Sequence, residues 1–273
     1  MAASLPERLP QLAKVAFDIA RLRSQLKTNS LGKRVCCFDS VLSTMDTAFR
    51  LVEKGAVDGT LVIADEQTAG RGRRGQAWFS PRSGGLWFSI IVLRHPLCAL
   101  GGVLAPATGL ALAAMLNDDL GVPARVKWPN DVRIKGKKVA GILVETRRRP
   151  CAMVLGVGLN LRQPREVPGS LQGVVTFLEA ECGRCLRRED LLARVLGRLE
   201  CQMGLCESGE RAALVEQWKR YDEFYGSPVE LRTGRGSVRG TDVGISDEGC
   251  LLLETPQGVR AVSAGEIVGP RTQ

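Results

Sequence analysis

An α+β fold, built from a mixed β-sheet with helices packed on it and followed by a small β-barrel-like domain, is predicted by three observations. Helical and strand-like runs intermingle over residues 31–226. Beyond them, short strand-like runs alternate with glycine-bearing turns over residues 227–273. Gly226-Ser227-Pro228 marks the boundary between the two patterns.

The elements follow in chain order. Residues 6–26 carry Leu9, Leu12, Val15, Ala16, Ile19 and Leu22 on one helical face, which predicts an amphipathic helix within an N-terminal extension, residues 1–30. A strand is expected at about 34–38. A helix then starts in "STMDTAFRLVEKG", with Ser43 or Thr44 as N-cap. Strands are expected near 60–65 and 86–93. The apolar tract "GGVLAPATGLALAAML" (101–116) is too short to cross a bilayer and contains Pro106, so it reads as a core helix ending at "NDDLGVP". "ARVKW", "DVRIKGKKVAGILVE" and "AMVLGVGLN" read as strands, with a turn at Lys135-Gly136-Lys137. Helices near 189–203 and 210–224 complete the large domain. The small one contains "VELRT", "SVRGTDVGI", "CLLLET" and "GVRAVSA", with a turn at Asp247-Glu248-Gly249.

Composition is that of a globular chain: 44% hydrophobic and 25% charged among 273 residues, which fits one large domain plus a small one. A net charge of +9 invites a phosphate-rich or nucleic-acid partner. Two Tyr and seven Phe leave single-strand stacking platforms without an obvious source. The nine cysteines and the lack of a secretory h-region point to reduced thiols in the cytoplasm. "CGRC" (182–185) with Cys201 and Cys206 superficially matches a zinc ribbon. Leu191, Leu192, Val195, Leu196 and Leu199 share a helical face there, so the second cysteine pair is expected on a packed helix.

"GRGRRG" (70–75) matches the G-x-G-x-x-G pattern of dinucleotide sites, and a strand-like run precedes it. No helix follows, since "QAWFSPRSGG" holds Pro81, Gly84 and Gly85, and no Asp or Glu occurs between Gln67 and Asn117 to bind a ribose. The loop instead spaces Arg71, Arg73 and Arg74 with glycines that let backbone approach a ligand, which makes it either an anion clamp or a mobile basic loop.

"EQTAGRGRRGQAWFSPRSGGLWFSI" (66–90), "VKWPNDVRIKGKKVAGILVE" (126–145) and "GVGLN" (156–160) occur in that order, and together they resemble the biotin protein ligases, or biotin–acetyl-CoA-carboxylase ligases. The likeness runs over roughly residues 31–269. It implies a class II synthetase or biotin/lipoate-ligase-like catalytic domain over 31–226 and an SH3-like C-terminal barrel. It also implies condensation of biotin with ATP to biotinyl-5′-AMP, with Mg²⁺, and transfer of biotin to a lysine of a carboxyl-carrier domain, as in acetyl-CoA carboxylase.

On that resemblance Arg71, Arg73 and Lys138 are the catalytic cations, offsetting charge on the carboxylate and α-phosphate. Ser43, Thr44, Gln67, Gly85, Leu86, Trp87 and Gly141 would enclose biotin. Arg71, Gly72, Arg73, Trp78, Asn130, Asp131 and Asn160 would bind ATP and the adenylate, with Trp78 over adenine and Asn130 and Asp131 holding Mg²⁺. One departure stands inside the site: Met45 follows Ser43-Thr44 where many relatives have Asn. The residues preceding the motifs are too few for the winged helix-turn-helix of regulatory relatives, so a monofunctional ligase without specific DNA binding or membrane attachment is expected. Monomer and homodimer are equally open. The alternatives are a lipoate or octanoate ligase of the same fold, and a basic nucleic-acid-binding protein whose affinity falls with salt.

Overall fold

The computed structural model describes residues 17–94, 101–148, 151–234 and 236–268. Of the expected N-terminal helix, residues 6–16 lie outside the described residues. The remainder forms α1 (Ile19–Gln25), with the Asp18 side chain accepting from the Arg21 amide.

Seven strands form the main sheet, in the order β1-β2-β3-β7-β6-β5-β4. They are β1 (Val35–Val41), β2 (Leu61–Gln67), β3 (Gly85–Val92), β4 (Ala124–Lys127), β5 (Asp131–Ile134), β6 (Lys137–Arg148) and β7 (Cys151–Asn160). β1 and β2 run parallel, joined through α2 (Thr44–Glu53), and the other neighbours are antiparallel. β3 is buried along its whole length because both faces of the sheet are covered. On one face α2 packs Met45, Ala48, Phe49 and Val52 against Val62, Ile91 and Val154. On the other lies α3 (Gly101–Ala114), which continues into a π-turn over Met115–Asp119. The short α4 (Leu178–Cys182) precedes α5 (Arg188–Ser208) and α6 (Arg211–Tyr221).

The tight β5–β6 turn places Lys135 and Gly136 at φ 49° and 75°, as expected for a two-residue hairpin. The five leucine and valine positions singled out on α5 are all buried. On that helix Cys201 is exposed and Cys206 buried, which separates the second cysteine pair of the zinc-ribbon pattern. Ser43 does occupy the N-cap position of α2, but its side chain makes no capping bond. Its carbonyl instead accepts from the Thr47 amide and hydroxyl, which serves the helix start without the Oγ.

The second sheet is antiparallel, ordered β11-β10-β9-β8-β12, and comprises β8 (Pro228–Thr233), β9 (Gly236–Ile245), β10 (Leu251–Thr255), β11 (Gly258–Val262) and β12 (Glu266–Val268). It is fastened to the first by the buried Trp128, whose Nε1 donates to the Gly249 carbonyl at 3.0 Å, and the segment leading to it is anchored where Glu223 N–H donates to the Val126 carbonyl at 2.9 Å. Among the described residues no helix is long and apolar enough to cross a membrane.

Candidate active site

Two glycines in "GVG" are two residues apart on β7 and therefore share a face. Register adds a third: Gly141 of β6 pairs directly with Gly158, while Leu143 pairs with Gly156. The absence of three side chains from adjacent strands leaves a trough, and other elements fill it. A Cβ built on Gly141 would stand 2.8 Å from the Trp78 ring; one on Gly156 would stand 2.6 Å from Met45 Sδ, and one on Gly158 would collide with the Trp78 indole nitrogen. The trough is the floor of a cavity of about 370 Å³, within the range of small-molecule sites.

"GRGRRG" crosses this cavity as an irregular hairpin. The Trp78 and Gly72 amides donate to the Gly70 and Gln76 carbonyls at 2.8 and 2.7 Å, and Arg71 bridges to Ala77. Only a single 3-10 turn, Arg73–Gly75, follows the glycines, so no helix N-terminus is present to seat a pyrophosphate. Arg74 reaches φ 55° at the tip.

Three of the cations here have partners within the chain. Arg71 contacts Asp46 at 2.6 Å and Glu145 at 3.5 Å. Arg73 donates to Asn130 Oδ1 at 3.2 Å, and its pKa is pushed down first by burial and then by Arg74. Lys138 Nζ lies 2.7 Å from Asp131 and 5.0 Å from the centre of the Trp78 ring. Lys127 also lines the cavity, and burial followed by Arg133 lowers its pKa, against the opposing pull of Asp131, Glu266 and Glu223.

Neutral groups stand beside these cations. Gln67 Oε1 accepts from the Thr44 amide at 2.8 Å and the Thr44 hydroxyl at 3.1 Å, while Gln67 Nε2 donates to Ser80. Ser89 donates to the Thr44 hydroxyl at 2.8 Å from beneath. Asn160, 6% exposed, donates to the Thr176 carbonyl at 3.2 Å at the edge of the trough. Trp78 Nε1 is buried with no hydrogen-bond partner.

Thr44, Gln67, Arg71, Gly72, Arg73, Trp78, Asn130, Asp131, Lys138, Gly141 and Asn160 therefore converge on one cavity although they span more than a hundred positions of sequence. Four expected wall residues do not line it. Ser43 is buried at the start of α2; Leu86 lies in the core. Trp87 is 1% exposed and donates to the Pro81 carbonyl, and Gly85 makes room for that ring, so both support the wall from behind. Several lining residues were not anticipated: Gly156, Gly158, Lys127, Leu171, Val174, Val175, Phe177, and Gly265 and Glu266 from the second sheet. The spacing of the glycine pair puts both on one face of a strand, but which face meets the cavity follows only from the β6–β7 register. Glu266 was not, because nothing local in sequence ties it to a site built more than a hundred residues earlier.

Asn130 and Asp131 present adjacent amide and carboxylate oxygens beside these cations. Among the described residues no group of three or more His, Cys, Asp or Glu is arranged to hold a metal. Two hard oxygen donors do suit Mg²⁺, which keeps its remaining positions for water and phosphate.

Residues 37–160 match the biotin/lipoate A/B protein ligase family, and residues 224–268 match the biotin protein ligase C-terminal domain. The chain is 33% identical to the bifunctional ligase/repressor BirA of Bacillus subtilis, over 91% of this chain and 78% of that protein. It is 35% identical to the biotin–[acetyl-CoA-carboxylase] ligase of Paracoccus denitrificans, over 82% and 96% of the two chains. The structure of the Aquifex aeolicus biotin protein ligase in complex with biotin and ATP superposes with a TM-score of 0.74 at 31% identity, covering 86% of this chain and 98% of that one. The glycine trough, the arginine hairpin and the lysine beside them are thus set in a chain that belongs to the biotin/lipoate A/B protein ligase family.

Proposed function

We propose that this protein is a biotin–[acetyl-CoA-carboxylase] ligase, which activates biotin with ATP and passes it to a lysine of a carrier domain. The observation that carries this reading is one cavity in which a glycine floor and the neutral Thr44 and Gln67 meet the cations Arg71, Arg73 and Lys138. That combination suits a largely apolar bicyclic acid joined to a nucleotide.

The chemistry needs no enzyme nucleophile. A biotin carboxylate oxygen attacks the α-phosphorus of ATP, the bond to the β-phosphate oxygen breaks, and pyrophosphate leaves with the electron pair. Two anions must be brought together, so alignment and fixed positive charge supply the catalysis. Lys138 would bridge the carboxylate and α-phosphate, leaving Asp131 for that contact. Arg71 and Arg73 would give their forks to phosphate oxygens and close the hairpin over the adenylate. In the second step the carrier lysine amine attacks the anhydride carbonyl and AMP departs.

Thr44 and Gln67 would read the ureido group, Gly141 would admit the ring to the floor, and Ser43, Gly85, Leu86 and Trp87 would act by supporting that wall. Trp78 would stack on adenine, Asn160 would contact the nucleotide, and Gly72 would let the loop backbone close in. Asn130 and Asp131 would hold Mg²⁺, whose charge offsets that of the triphosphate.

The domain division that fits is an N-terminal extension over 1–30, a catalytic domain over 31–226 and an SH3-like barrel over 227–273, whose Glu266 lines the same cavity. The partner is the biotin carboxyl carrier domain of acetyl-CoA carboxylase or a related carboxylase. A cytoplasmic location without specific DNA binding fits the same reading. The test is biotin-dependent exchange of labelled pyrophosphate into ATP with Mg²⁺, run beside lipoate and octanoate. Exchange with biotin alone is expected; exchange with lipoate or octanoate instead overturns the substrate assignment.

A further inference from the structure

Lys138 lies where the main sheet no longer holds β6 from both sides. The β6–β7 pairing begins beyond it, at Ala140 and Leu159, and a register shift between Val132 and Arg133 interrupts the β5 side. Both backbone groups of the lysine turn instead to the segment that precedes α4. Lys138 N–H donates to the Val174 carbonyl at 2.9 Å, and the Thr176 amide donates to the Lys138 carbonyl at 2.9 Å. Lys138 and Val175 thereby form a parallel bridge. Backbone polar groups need such partners, so the height at which the lysine stands in the cavity depends on this segment.

Residues 172–177 contain no helix or strand of their own, yet Val174, Val175 and Phe177 line the cavity. Their fixed point is α4, seated by Leu178, which is 0% exposed, and by the Glu179 amide, which donates to the Leu161 carbonyl at 3.0 Å. From α4 the side chain of Glu181 reaches back to the segment. Its Oε1 accepts from the Thr176 hydroxyl at 2.6 Å, while its Oε2 lies 3.0 Å from Lys135 Nζ in the β5–β6 turn. One carboxylate thus ties the segment to α4 and to the turn that leads into β6. The bond from Thr176 is short and charge-assisted, and it is the stronger tie. Lys135 is 71% exposed, so its ammonium gains little from pairing. Neither Glu181 nor Thr176 lines the cavity.

We propose that Glu181 is a positioning residue for Lys138: it holds Thr176, and through Thr176 the backbone of the lysine, so that Nζ stands where carboxylate and α-phosphate meet. The role of the lysine rests on the ligase reading; the tie itself does not. Every link in the chain from Glu181 to Lys138 is a direct hydrogen bond, and Asn160 Nδ2 supports it by donating to the Thr176 carbonyl at 3.2 Å. Glu181 acts on the placement of a charge and touches no part of the biotin end. Its loss should therefore appear in the rate and not in the affinity for biotin.

The test is Glu181→Ala in the full chain, followed by biotin-dependent pyrophosphate exchange. A fall of about tenfold in kcat is expected, as for a catalytic group moved by a fraction of an ångström, while KM for biotin stays within about twofold. Combined with Lys138→Met, the same change should lower kcat no further, because a residue that acts through the lysine then has nothing to position. An undiminished kcat in the single variant overturns the proposal, and so does a second tenfold fall in the combined one, which a general loosening of the fold would produce. If Glu181→Ala fails to fold, Thr176→Val removes the same hydroxyl tie with little change of side-chain outline, and the same outcomes decide. The second readout is hydrogen exchange at the Lys138 and Thr176 amides. Both should exchange about tenfold faster in the variant, while the Ile142 amide, which donates to the Asn130 carbonyl farther along β6, keeps its protection. Equal protection of Lys138 and Thr176 in parent and variant overturns the proposal. If the parent shows no biotin-dependent pyrophosphate exchange, the ligase reading fails while the amide readout still decides the tie.

Discussion

The two walls of the cavity are made in opposite ways. The floor is an absence: Gly141, Gly156 and Gly158 are brought side by side by strand register, and their missing side chains define the shape. The charged wall is a surplus of positive charge on Arg71, Arg73 and Lys138, each tethered to an oxygen acceptor of this chain. A rigid floor selects by shape before any chemistry occurs. Tethered cations exchange a protein partner for a substrate anion, so they act most strongly where charge develops. The charged wall should therefore set the rate and the floor the affinity.

The largest effect that could break this division comes from Lys138→Met. Removing the point charge between carboxylate and α-phosphate should lower kcat by about 10²- to 10³-fold, as loss of an oxyanion-stabilising donor does, with KM for biotin nearly unchanged. Steady-state exchange kinetics separate the two constants, and a change confined to KM would contradict the rate assignment. Next is Gly158→Ala. The added methyl must displace the Trp78 ring into the cavity, at a cost of about 1–3 kcal/mol and a roughly 5- to 150-fold rise in biotin Kd by calorimetry. Gly85→Ala is the contrasting control. Its methyl meets the Leu159 carbonyl and the Trp87 ring, behind the wall, so the loss of about 1–3 kcal/mol should appear in thermal unfolding instead.

Smaller again is the effect expected at Arg73. Arg73→Gly removes the fork held over Asn130; adenylate should then dissociate about tenfold faster, as expected for loss of one charge-assisted hydrogen bond. Rapid filtration measures that rate, and labelling of bystander lysines should rise with it. Retention as tight as in the parent would break the claim that the charged wall also serves as a lid.

How much of this was legible in the sequence follows the same division. Arg71, Arg73, Asn130, Asp131 and Lys138 sit in contiguous motifs whose residue types announce anion chemistry, and all five line the cavity. The mixed sheet and its helices followed from hydrophobic period, and the Lys135-Gly136 turn from its residues. The floor was half legible. Gly141 was identified; Gly156 and Gly158 needed the β6–β7 register, which pattern alone does not supply. Leu86 and Trp87 were misplaced for the mirror-image reason: a strand buried on both faces has no alternation to say which side faces a ligand. The place of Glu266 depends on how the second sheet docks, a contact that no local signal encodes.

Met45 tests whether the floor is shape alone. Its thioether lies over Gly156, 3% exposed, where the resemblance to the biotin protein ligases implies an amide. If the floor selects only by volume, Gly156→Ala should raise KM for biotin about tenfold by pushing Met45 into the cavity, and Met45→Ala in the same chain should restore it to within about threefold. Met45→Asn on the parent background would then change KM little, since the polar group adds nothing the floor requires. Were Met45→Asn instead to tighten biotin severalfold, the floor would prove to read hydrogen bonds as well as shape. The parent would then be a ligase that forgoes one polar contact and relies more heavily on Thr44 and Gln67. The exposed Arg71–Asp46 pair lies beside this position and gives the smallest effect. Asp46→Asn should alter stability by less than about 1 kcal/mol, because a half-exposed ion pair gains little over its hydrated parts. A larger loss would mean that the tether on Arg71 holds the hairpin closed before substrate arrives, and that the charged wall is as pre-shaped as the floor.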